Sequence, residues 1–98
     1  MKDFILFMHD DAVGRPDAAL WPAYITALQG AGRFGGGSSI GVGACERKSG
    51  IAAKLSVHLS GYIRVRAASL EEARTLLTGN PVFEAGGTVE IRELPQDG

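Results

Sequence analysis

The stretch LSVHLSGYIRVRA, from Leu55 to Ala67, alternates apolar and polar residues almost without a break. Leu55, Val57, Leu59, Gly61, Ile63, Val65 and Ala67 fall on one side, and Ser56, His58, Ser60, Tyr62, Arg64 and Arg66 on the other. A period of two is the signature of a strand with one face against a core. Run straight, these residues would span roughly 40 Å at about 3.3 Å each. That is long for so short a chain, so a bend or bulge is expected near Ser60-Gly61.

Other elements group around this strand. Asp3 to His9, rich in Phe, Ile and Leu, reads as a strand near the middle of a sheet. Asp11 to Pro16 is a loop by its Gly and Pro. A helix follows, with Asp17 as candidate N-cap, and Pro22 places its regular part nearer Trp21. Trp21, Tyr24, Ile25, Leu28 and Ala31 recur at helical spacing before Gly30 and Gly32 end it. The glycine-dense run from Gly35 to Gly43 lacks a Gly-Lys-Ser/Thr ending and a following helix, so a bent strand fits better than a nucleotide loop. Ala44–Arg47 and Ile51–Leu55 are expected to form a hairpin turning at Lys48-Ser49-Gly50. Ser69-Leu70-Glu71-Glu72 reads as a reciprocal capping box, with Leu70, Ala73, Leu76 and Leu77 facing the core and Gly79-Asn80-Pro81 closing the helix. Thr88 to Leu94 alternates as a last strand, and Pro95 with Gln96-Asp97-Gly98 forms a polar tail.

Composition bounds the partners. The 98 residues suit one domain, residues 1–98, with a modest core that favours association with another subunit. Ten basic against eleven acidic residues give no field for nucleic acid. Cys45 is alone, which excludes an intrachain disulfide and a thiolate-rich metal site and fits a reducing, cytoplasmic setting. The apolar run Phe4 to Met8 is too short for a signal-peptide core, and no run approaches the roughly 20 apolar residues of a membrane span. A soluble protein without membrane association is expected.

The order strand, helix, strand hairpin, strand, helix, strand is the split βαβ plan. It is an α+β, ferredoxin-like antiparallel sheet with two helices on one face. The opposite sheet face is then bare.

The chain resembles the YCII-related family, including its branch named for an Asp-Gly-Pro-Phe motif. The resemblance lies in KDFILFMHDD (2–11), LWPAYITALQGAGRFGGG (20–37), SGYIRVRAASLEEA (60–73) and NPVFEAGGTVEIREL (80–94), in that order and spacing. It implies a dimeric α/β barrel, two ferredoxin-like sheets packed face to face, with the polar side of Leu55–Ala67 looking into the space between subunits. Counted back from Gly61-Tyr62, the branch motif falls on Ser49-Gly50-Ile51-Ala52 and keeps only its glycine. The acidic and lysine positions that usually follow fall on Lys54 and Ser56. The place of a histidine proposed as catalytic in another branch holds Trp21.

The remaining chemistry centres on two sets. His9, with an ordinary pKa near 6.5, is a candidate general acid–base, though a strand-end histidine bonded to backbone or water is the plainer alternative. His58 lies between Ser56 and Ser60 and could join it. Two histidines without a third partner do not make a metal site, and no cofactor is implied. Tyr62, Arg64, Glu90 and Arg92 should share one sheet face with Ile5, Phe7 and His9. Two arginines against one glutamate leave positive charge for a small anion, and Trp21 and Tyr24 would suit an aromatic part. The alternative is that Glu90 pairs with Arg64 or Arg92 and the set only seals a dimer. These residues support a homodimeric small-molecule binding or regulatory module, or else a cofactor-independent, isomerase- or lyase-like enzyme using His9.

Overall fold

The computed structural model describes residues 1–96; Asp97 and Gly98, the end of the expected tail, lie outside them. Four strands form its sheet: β1 (Lys2–His9), β2 (Phe34–Ser39), β3 (Leu59–Ala67) and β4 (Val89–Leu94). Their order is β2-β3-β1-β4 with every neighbouring pair antiparallel, the expected ferredoxin-like α+β arrangement. The apolar strand β1 is one of the two interior strands, between β3 and β4, and β3 is the other, between β2 and β1.

Alternation sets the two faces. Phe4, Leu6 and Met8 of β1 and Ile63, Val65 and Ala67 of β3 are buried, together with Tyr24, Leu28, Ala73, Leu77 and Val82 from the helical side. The helices there are α1 (Trp21–Gly30), α2 (Leu70–Thr75) and α3 (Pro81–Glu84). Asp17 Oδ1 accepts from Ala19 N at 3.0 Å and starts a 3-10 turn, so the regular helix begins at Trp21 with Pro22 in its first turn, as the sequence implies. On the opposite face, the register sets Ile5 between Arg64 and Arg92 and Phe7 between Tyr62 and Glu90. The chain's own helices leave this face uncovered.

The expected bulge is present. Met8 pairs with Gly61 and His9 with Leu59, so Ser60 is the extra residue, its hydroxyl donating to the Met8 carbonyl at 3.3 Å.

Four local expectations are corrected. Residues 44–55 form no hairpin ladder: residues 40–58 contain no strand or helix, and β3 starts at Leu59 rather than Leu55. Gly50 does turn the chain with φ +81, but the legs beside it have no neighbouring strand of the sheet to extend. In the capping box, Ser69 Oγ accepts from Glu72 N at 3.1 Å, whereas the Glu72 carboxylate accepts from Ala68 N and pairs with Arg33. Leu70 is exposed, because α2 ends within two turns and presents only Ala73 and the following Leu77 fully to the core. Asn80-Pro81 opens α3 instead of only closing the helix before it: Asn80 Oδ1 accepts from Val82 N and Phe83 N, and Pro81 occupies the first turn.

Candidate functional site

The end of the sheet where β1 stops and β3 starts carries two adjoining features. The first is a cavity of about 580 Å³ between α1 and the helix-side face of the sheet. Trp21 and Ile25 of α1 form one wall, and Met8, Phe34 and Ile63 of the sheet form the other. Ala12 and Pro16 of the loop after β1 close over it. Its polar border comes from His9, Asp10, Ser38, Ser39, Ser60 and Tyr62.

The cavity has room because its floor is glycine. Gly37 and Gly61 line it from neighbouring strands, and a Cβ on Gly37 would stand 2.6 Å from the Tyr62 carbonyl oxygen. Among the described residues neither lysine nor arginine lines it. Apolar walls with a few converging polar groups are the usual composition of a small-molecule site.

The second feature is a histidine–carboxylate cluster on the uncovered face. His9 Nε2 and Glu90 Oε1 are 2.9 Å apart across the β1–β4 pair. The hydrogen bond from His9 holds the Glu90 carboxyl below the usual glutamate range, outweighing slight desolvation, and Arg92 at 3.5 Å adds to the effect. An ionised carboxylate only accepts, so Nε2 carries the proton and Nδ1 of a neutral His9 is left free as a base. The His58 ring meets His9 edge-on, with centroids 4.7 Å apart.

Below this cluster the loop is tied down. Asp11 accepts from Thr88 N at 2.7 Å and from Thr88 Oγ1 at 2.6 Å. These bonds hold the Asp11 carboxyl below its ordinary value.

The residues singled out from sequence therefore divide. His9, His58, Tyr62 and Glu90 gather at or near one end of the uncovered face, with Arg64 and Arg92 farther along it on either side of Ile5 and Arg92 reaching back to Glu90. Arg64 makes no ion pair among the described residues. Trp21 lies across the sheet, in the cavity wall. Tyr24 is buried in the core, its hydroxyl donating to the Leu76 carbonyl at 2.7 Å; burial pushes its phenol pKa up, opposed by the Asn80 amide nearby. Trp21 and Tyr24 meet edge-on at 5.9 Å, apart from both arginines. His9 and Tyr62 alone of the set belong to the uncovered face and also border the cavity. Sequence reasoning gave Ser38, Ser39 and Ser60 no part in a site and passed over the Gly37–Gly61 floor; glycines within two neighbouring strands were the available signal.

No family model matches the chain, and neither does any curated protein sequence. A solved structure does. It is a 5-chloro-2-hydroxyhydroquinone dehydrochlorinase from Burkholderia phenoliruptrix AC1100, in complex with 2,5-dihydroxybenzoquinone. The similarity covers 97% of this chain and 95% of that one, with a TM-score of 0.57 and 15% identity. The fold is shared. Among the described residues no helix is long and apolar enough to cross a membrane.

Proposed function

We propose that this chain is a YCII-related, homodimeric small-molecule-binding protein whose ligand occupies the cavity between α1 and the sheet. The observation that carries the reading is the cavity itself: about 580 Å³, walled by Trp21, Ile25 and Phe34 and floored by glycine. A floor without side chains opposite an indole favours a planar ring. The absence of lysine and arginine from the described lining favours an uncharged ring over a carboxylate. Hydroxyls on that ring would find His9 and the three serines. The structural neighbour's own ligand, a dihydroxybenzoquinone, has this chemistry. The uncovered face, with Ile5 and Phe7 at its centre and charged residues around them, would then pack against its counterpart in a second subunit.

Trp21 is the sole tryptophan and reports directly on the site. Titration with neutral hydroquinones and phenols should quench its fluorescence saturably, while benzoate does so at least tenfold more weakly. No saturable change with any planar phenol, or a preference for carboxylates, would overturn the reading.

A second reading, catalysis, is favoured by His9, which borders the cavity and is paired with Glu90 on the uncovered face. Glu90 fixes the imidazole, and the free nitrogen takes or returns a proton of a bound phenol or enol. His9→Gln should abolish any turnover found with such ligands while leaving Trp21 quenching in place. Retained turnover would remove His9 from the chemistry.

A further inference from the structure

The segment from Ile40 to His58 is the part of the chain that the fold does not use. Both of its ends are held at the sheet, where Ile40 N donates to the Ser60 carbonyl at 3.1 Å and Asp10 N to the His58 carbonyl at 2.7 Å. Between them the chain is almost wholly exposed, yet Val42 is fully exposed, Ile51 is 90% exposed and Val57 83%. The chain bends at residues 48–50, with Gly50 at φ +81 and Arg47 Nη1 donating to the Ile51 carbonyl at 3.3 Å. The legs approach each other where Gly43 lies beside Leu55. Their apolar side chains have no core to enter.

We infer that residues 40–58 form an arm that lies against a second copy of this chain. The inference rests on the homodimeric reading above and assigns the arm to it. Two observations show surface left to cover, and a third favours a second copy as what covers it. The accessible surface is 6743 Å², more than about 1,000 Å² above that of a compact monomer of this mass. That surplus matches the roughly 800 Å² or more that each member of a stable dimer contributes. The radius of gyration, 14.8 Å, likewise exceeds the about 13 Å of a compact chain of this length. Charge agrees as well: the arm holds Arg47, Lys48 and Lys54 against Glu46, while the rest of the chain has seven basic and ten acidic residues. A cationic arm and an anionic body are complementary in two copies of one sequence.

Cys45 lies in the arm, exposed, and is the only cysteine, so it accepts a maleimide photocrosslinker in the native chain. Equal amounts of light and heavy isotope-labelled protein are mixed, equilibrated, illuminated at low micromolar concentration and mapped by mass spectrometry. Adducts bridging light and heavy chains are expected, and Val42→Asp/Ile51→Asp/Val57→Asp should raise the dimer dissociation constant at least tenfold in sedimentation. Adducts confined to one chain, no adducts, or an unchanged dissociation constant overturn the arm's role. If the wild type sediments as a dimer in those cases, the homodimeric reading survives; a wild-type monomer removes both.

Discussion

His9 and Glu90 are joined across the β1–β4 pair, Nε2 to Oε1 at 2.9 Å, at the residue where β1 ends. The bond binds the strand terminus to its neighbour and places an ionised carboxylate behind an imidazole. It also has a consequence for acid stability. The Glu90 carboxyl titrates below its unfolded value, first because of the His9 hydrogen bond. Its contribution is therefore complete above the unfolded pKa of about 4.3 and is lost as pH falls through the lower folded value. Asp11, held by Thr88, acts with the same sign. Thermal unfolding measured as a function of pH should show the melting temperature dropping below about pH 4, and Glu90→Gln should make that drop shallower. An unchanged acid slope in Glu90→Gln would contradict the assignment.

Gly37 tests the cavity floor. Its added Cβ would meet the Tyr62 carbonyl oxygen at 2.6 Å and Ile63 Cγ1 at 3.1 Å, and backbone on the paired strand cannot swing aside. Gly37→Ala should cost about 1–3 kcal/mol in denaturant unfolding. At Gly61 the nearest backbone atom is 3.2 Å away and the nearest side-chain atom is the flexible end of Met8. Gly61→Ala should cost less, and equal losses would show that the floor is not set by this contact.

Asn80 carries α3. Its Oδ1 serves two amides, Val82 N at 3.0 Å and Phe83 N at 3.1 Å, while its fully buried Nδ2 has no hydrogen-bond partner. Asn80→Ala should lose about 1–2 kcal/mol with the cap. Asn80→Ser keeps a capping oxygen and removes the unpaired donor, so it should retain more stability than alanine. Chemical denaturation of both variants checks the order.

Phe7 addresses association. It lies on the uncovered face between Tyr62 and Glu90, away from the core cluster. Phe7→Glu should leave circular dichroism unchanged and shift sedimentation from dimer to monomer. A folded variant that stays dimeric would place the interface elsewhere.

The sheet was legible because β3 and β4 carry their alternation openly and β1 is a continuous apolar run, and Ser60 because so long an alternation could not stay regular. Residues 44–55 were not, since a strand pattern states a propensity and cannot say whether a neighbouring strand exists to satisfy it. The short α3 was missed because Asn-Pro ends one helix as readily as it begins the next. Grouping Trp21 and Tyr24 with the arginines failed for a geometric reason. Periodicity identifies the apolar stripe of a helix but not the sheet face it will cover, and α1 covers the one the arginines avoid. The Glu90 partner was nearer to hand, as alternative readings had already given it an arginine. Only the register, which brings the end of β1 beside Glu90, adds His9.

A sheet of four strands has two unpaired margins, and both are poor templates for another strand. β2 breaks its own register between Phe34 and Gly37 and is mostly glycine and serine. β4 alternates Glu90, Arg92 and Glu93 among its apolar residues and is followed by Pro95, which has no amide hydrogen to donate. Lateral growth into ribbons or fibres is thus discouraged at each side. The backbone edges of such a sheet offer a neighbouring molecule little to pair with.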